Sequence, residues 1–164
     1  MDPALFLTWR LHGTLPPPEP PTPRAVTGRQ FVAVDRLLDR AVHGPTWLGM
    51  PEIAELVAGS LQTHARVHGH FDLHAWAILP NHVHALLTPR SHRAAAWIED
   101  SGRLALRALG LRGCPFWHRE PIGRTVESER EAARIAHYIE CNPVSAGLAA
   151  APEHFLWSSA AARP

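Results

Sequence analysis

The chain has no lysine: all 16 of its basic residues are arginine. It is also poor in cysteine, with only Cys114 and Cys141 among 164 residues. Two distant cysteines with no CxxC pair argue against a disulfide framework and against a cysteine-based zinc site. Long apolar runs are missing as well. Nothing approaches the ~20 residues that span a bilayer, and no basic, apolar and small-residue sequence at the start marks a secretory leader. The chain therefore reads as cytosolic, with no membrane partner. Charge of either sign is in short supply, at 19% of residues and a net charge of +1. That balance does not by itself announce a nucleic-acid binder. Tyrosine is scarcer still, with Tyr138 standing alone.

What is present is more specific. Residues 90–124 carry seven arginines against Glu99, Asp100 and Glu120, a local excess of four. Of these arginines, Arg93, Arg103, Arg107, Arg119 and Arg124 are candidate DNA contacts. A guanidinium forks onto phosphate oxygens and stacks on bases. The absence of lysine also fits the codon bias of a GC-rich genome, so the choice of arginine does not decide the matter. The length suits one domain over residues 1–164 with a real core.

The pattern predicts a strand over Ala4–Leu11, then a stiff surface loop over 16–23, where six of eight residues are proline. Phe31, Val34, Leu37, Leu38 and Val42 recur at helical spacing over Gly28–Val42, and Pro51 opens a second helix. Phe71–Ile78 and His82–Leu87 read as strands joined through Leu79-Pro80-Asn81, a hairpin turn. A third helix is expected over Arg93–Leu109 and a weak last strand within Phe116–Val126. Ser128 with Glu131 forms a capping box for a final helix, which Asn142-Pro143 is expected to end. No internal repeat is visible. Apart from the extra first and last helices, the order is that of a ferredoxin-like split βαβ sheet. The expected class is α+β, an antiparallel sheet with helices packed on one face. The strand holding His82 and His84 should lie centrally in it.

His82-Val83-His84 places two imidazoles on the same face of that strand, aimed at one point. Tyr138 and Asn142, four apart on a helix, also share a face. A metal pair and a phenol on two rigid elements are the minimum for metal-assisted covalent catalysis. Weighed singly, each signal is weaker. An HxH pair in a chain with 12 histidines more often packs than binds metal, a tyrosine on a helix stripe more often fills a core, and asparagine before proline often just terminates a helix. His118 and Trp117 suit a DNA contact and a core closure equally, and Trp97 suits packing better than base stacking.

Three blocks taken together carry a resemblance. They are Trp76-Ala77-Ile78-Leu79-Pro80-Asn81-His82-Val83-His84, Phe116-Trp117-His118-Arg119, and Tyr138-Ile139-Glu140-Cys141-Asn142-Pro143-Val144-Ser145-Ala146-Gly147-Leu148. The first contains the His-hydrophobic-His motif of HUH endonucleases. The set, in this order from about Phe6 to Trp157, resembles the REP-associated tyrosine transposases, relatives of insertion-sequence transposases that cut single-stranded DNA. The resemblance implies an HUH endonuclease fold, with His82, His84 and the side-chain oxygen of Asn142 binding Mg²⁺ or Mn²⁺. It makes Tyr138 the nucleophile that leaves a 5′-phosphotyrosine link, and single-stranded or hairpin DNA the partner. It leaves a homodimer open, and with it whether the tyrosine acts in cis or in trans. Two other readings stand beside it. One is a domesticated relative that binds hairpin DNA without cutting, suggested by a helix after the HxH strand that carries Glu99 and Asp100. The other is an unrelated metal hydrolase, which would need further Asp or His ligands.

Overall fold

The computed structural model describes residues 3–16 and 28–161. The proline-rich stretch, beyond Pro16, lies outside the described residues. Four strands, β1 (Ala4–Arg10), β2 (Phe71–Ile78), β3 (His82–Pro89) and β4 (Ile122–Val126), form one antiparallel sheet in the order β2-β3-β1-β4. β3 and β1 are thus the central pair, as the split βαβ order predicts. The helices are α1 (Gly28–Asp39), α2 (Pro51–Arg66), α3 (Ala96–Ala108) and α4 (Glu129–Ser145).

The two faces of the sheet hold different cores. Val83, Ala85 and Leu87 of β3 join Trp9 and Leu11, and α2 and α3 cover them through Ile53, Val57, Leu61, Trp97 and Ala105. Trp97 is fully buried, its ring edge-on to Trp9 at 5.2 Å and to Trp117 at 6.1 Å. It packs, as does Trp117, whose indole nitrogen donates to the Ser101 hydroxyl. On the opposite face, Phe6, Ala75, Ala77 and Leu86 meet Phe31 of α1 and Ile135 and Ile139 of α4. Helices therefore lie on both faces, not on one as expected. The split βαβ pair, α2 and α3, keeps to one side. The additional helices α1 and α4 carry apolar stripes of their own, and the free side of the sheet is where those stripes find cover.

Two boundaries moved and a third narrowed within its expected range, each for a physical reason. α1 ends at Asp39, and Val42 is 69% exposed, because Ala41 turns the chain at φ 48°. β4 begins only at Ile122; Phe116 and Trp117 enter the core instead, through a single bridge from Trp117 to Leu11. Asn142-Pro143 does not end α4, which runs on to Ser145 with Pro143 inside it. Proline here removes a single intrahelical bond. The true stop is Gly147, at φ 75°, where the Gly147 N–H donates to the Val144 carbonyl and the Leu148 N–H to the Pro143 carbonyl. That is the Schellman termination, and the left-handed glycine makes it possible. The continued helix keeps Asn142 in register with Tyr138. At the other end the Ser128 hydroxyl accepts the Glu131 N–H at 3.2 Å, as the capping box predicts.

Candidate active site

Alternation along β3 sends His82 and His84 toward α1 and α4, where both are fully buried. Their ring centroids are 4.8 Å apart. The outer nitrogen of each ring is held. The Asn81 amide donates to the Leu38 carbonyl at 2.9 Å, which turns its oxygen onto His82 Nδ1 at 2.7 Å. An amide oxygen only accepts, so Nδ1 carries the proton and Nε2 presents its lone pair inward. His84 Nδ1 meets the Thr8 hydroxyl on β1 at 2.8 Å, and that hydroxyl can accept the proton and free Nε2 in the same way.

A residue that the motifs did not single out completes the centre. Asp35 of α1, 2% exposed, places Oδ1 3.0 Å from His84 Nε2 and 3.5 Å from His82 Nε2. The nitrogen and oxygen atoms of Asp35, His82 and His84 lie within 4.8 Å of one another, a group able to hold a metal ion. Asp35 Oδ2 accepts from the Tyr138 hydroxyl and, at 3.2 Å, from the Asn142 amide nitrogen. The structure thus brings together His82, His84, Tyr138 and Asn142 within one chain, with Asp35 at their centre. Asp39, one turn along α1, stands 3.7 Å from His82 Nε2. A signal for Asp35 existed in the sequence. It falls four residues after Phe31 and three before Leu38, a carboxylate on the apolar stripe of a helix.

The electrostatics follow from burial. Burial by itself would raise the Asp35 pKa, but the facing His84 and His82 outweigh it and hold the carboxyl well below the usual range. Burial pushes the His82 imidazole down to about 4, against the opposing pull of Asp35. Asp39 is pushed up to about 6 by burial and then by the Asp35 charge. Burial, followed by the charge and hydrogen bond of Asp35, lifts the Tyr138 phenol above its ordinary value. In this state the phenol is a proton donor to Asp35.

The residues fit a divalent cation. His82 Nε2, His84 Nε2, Asp35 Oδ1 and Asn142 Oδ1 are all buried without a well-formed hydrogen bond, although Asp35 Oδ1 stands 3.0 and 3.5 Å from the two imidazole nitrogens. Each such orphan costs about 1–3 kcal/mol unless something satisfies it. Two imidazole nitrogens with a carboxylate oxygen and an amide oxygen form a mixed set that suits Mn²⁺ at least as well as Mg²⁺. Asp35 also alters the expected charge, since the three ligands inferred from the resemblance are all neutral.

The candidate arginines are dispersed. Arg124 lines a cavity of about 260 Å³ beside Tyr138, together with Phe6, Phe31 and Arg134, and it pairs with Glu131. Arg103, Arg107 and Arg119 line a separate groove between α3 and residues 110–119, where Arg112 joins them. Arg93 is exposed and lines neither.

No protein-family model matches the sequence, and no curated protein does. A solved structure described as a REP-associated tyrosine transposase bound to a REP hairpin is similar in fold. The TM-score is 0.62 at 15% identity, and the match covers 97% of this chain and 78% of that one. At that identity the likeness establishes a shared fold.

Proposed function

We propose that the chain is a metal-dependent, single-tyrosine DNA strand transferase that cuts single-stranded or hairpin DNA. The observation that carries this reading is the convergence of His82 Nε2, His84 Nε2 and an Asp35 oxygen in one buried group, with Tyr138 and Asn142 both hydrogen-bonded to the same Asp35 carboxylate. His82, His84, Asp35 and the Asn142 oxygen would hold Mg²⁺ or Mn²⁺. When bound, the cation polarises a phosphate oxygen and stabilises charge developing on the phosphorus. The Tyr138 oxygen attacks that phosphorus and the bond to the 3′ oxygen breaks, giving a free 3′ hydroxyl and a 5′-phosphotyrosine. The phenol proton passes to solvent and the departing 3′ oxygen takes one up, because Asp35, held well below the usual carboxylate range, orients the phenol but is too weak a base to keep its proton. The covalent link keeps the bond energy for rejoining, which separates strand transfer from hydrolysis. Arg124 and Arg134, at the cavity beside Tyr138, suit the flanking phosphates. The similar solved structure holds a REP hairpin, which supports a hairpin as the substrate class.

One observation favours a second reading, a relative that binds hairpin DNA without cutting. Burial and the Asp35 charge lift the Tyr138 phenol above its ordinary value, which makes it a poorer nucleophile without weakening contacts to DNA. Labelled hairpin oligonucleotides incubated with the protein and Mn²⁺ distinguish the two on a denaturing gel. The expected result is a covalent adduct that disappears in Tyr138→Phe while hairpin binding persists. Tight binding with no adduct under any metal overturns the first reading in favour of the second.

A further inference from the structure

On the other side of the sheet from Tyr138, three more histidines meet at the end of α2. His64 lies in its last turn, and His68 and His70 follow in the turn into β2, as His64-x3-His68-x-His70. Ring centroids are 5.1 Å apart for His64–His68, 5.1 Å for His64–His70 and 5.3 Å for His68–His70. Gly69, at φ 62°, makes the reversal that returns His70 to His64, and the His70 N–H donates to the His64 carbonyl at 3.0 Å. The His70 carbonyl accepts from the Arg90 and Ser91 N–H groups at 2.9 and 3.2 Å, so this backbone is pinned on both sides.

The proton positions are informative. His64 Nε2 lies 3.0 Å from Asp100 Oδ2 on α3, and Asp100 Oδ1 takes Arg103 at 2.9 Å. An ionised carboxylate only accepts, so His64 carries its proton on Nε2 and presents the Nδ1 lone pair on the other side. A carboxylate behind a histidine in this way is the usual support of a metal-bound imidazole. The His64 Nδ1 accepts a hydrogen bond from His70 Nδ1 at 3.1 Å, a proton that a metal ion would displace. Two ligands at zinc–nitrogen distances of about 2.0–2.1 Å in a tetrahedron stand about 3.3–3.4 Å apart. Two of the nitrogens are therefore nearly at the spacing of a tetrahedral edge.

We propose that His64, His68 and His70 form a second metal site, selective for a borderline dication of the zinc class, with Asp100 as the residue that positions His64. Among the described residues, only the Asp35 group has its ligand atoms already converged. His68 therefore completes this second site by turning its exposed ring inward. The fourth position falls to water. Imidazole-rich sites prefer Zn²⁺ over Mg²⁺, so the two centres would take different ions. Bound there, the ion ties the end of α2 to the start of β2.

The test is a zinc titration of the metal-free protein by calorimetry, repeated with Co²⁺ while following the visible absorption of tetrahedral cobalt. His68→Ala/His70→Ala, which alters two surface rings, should bind one equivalent fewer than the unaltered chain and lose the share of the tetrahedral cobalt bands that this site contributes. Asp100→Asn should keep the site and weaken it about 10–100-fold. Equal stoichiometry and an unchanged cobalt spectrum in the double variant overturn the proposal. Because Tyr138, His82 and His84 are untouched in these variants, the result is independent of whether the chain cleaves DNA.

Discussion

At the scale of single residues, burial gives neighbouring carboxylates of α1 opposite characters. Asp35 faces two imidazoles and stays ionised; Asp39 faces Asp35 and is pushed up to about 6. The sign of the consequence can be worked out. A folded-state value above the ordinary 3.8 means the folded protein binds the extra proton between those values, so Asp39 costs stability as pH rises from 3.8 to 6. His82 works the other way. Its value is lowered from 6.5 to about 4, so the unfolded chain takes the proton first and stability is lost as pH falls through that window. Asp39→Asn should therefore stabilise the metal-free protein at pH 8 by about 2 kcal/mol. The gain should vanish below pH 4, and the acid loss due to His82 should become steeper. Urea unfolding at several pH values checks this; a gain that is the same at every pH would contradict it.

At the scale of elements, the ends of α4 decide whether Tyr138 and Asn142 are delivered together. The Ser128 cap was legible because a hydroxyl followed three residues later by glutamate has one obvious use. The rule for residues before proline places the stop at Asn142-Pro143, but that rule is local and weak beside a helix held by packing of Ile135 and Ile139. Gly147 was the better signal. Gly147→Ala puts a side chain into left-handed backbone and should cost about 1 kcal/mol. A thermal melt reads the loss. Because the strain falls beyond Ser145, hairpin cleavage at permissive temperature should change less than twofold, whereas a large drop would mean that the termination controls the register of Asn142.

At the scale of the whole molecule, two extra helices turn a ferredoxin-like sheet into an enclosed site. α2 and α3 supply the support of one face, with Trp97 between Trp9 and Trp117. α1 and α4 cover the other and carry Asp35, Tyr138 and Asn142 into it. Since the group able to hold a metal ion draws on α1 and β3, ion binding should stabilise the entire fold. Mn²⁺ at about 100 times its dissociation constant should add about 2.7 kcal/mol, a rise in Tm of roughly 5–10 °C. Asp35→Asn should abolish most of that rise. An unchanged melting temperature with saturating Mn²⁺, or an undiminished rise in Asp35→Asn, would remove Asp35 from the ligand set.

The pairing of His82 with His84 and the helical register of Tyr138 with Asn142 were determined by the sequence because each rests on a short-range period of two or of 3.6, and the central place of β3 because the order of strands and helices along the chain is that of a split βαβ sheet. The part played by Asp35 came only with the tertiary structure. A carboxylate on an apolar stripe signals burial, but its partners are 47 and 49 residues away along the chain, and no local period relates them. The same holds for the covering of both sheet faces. It depends on where the first and last helices find apolar surface, which is a property of the packed molecule.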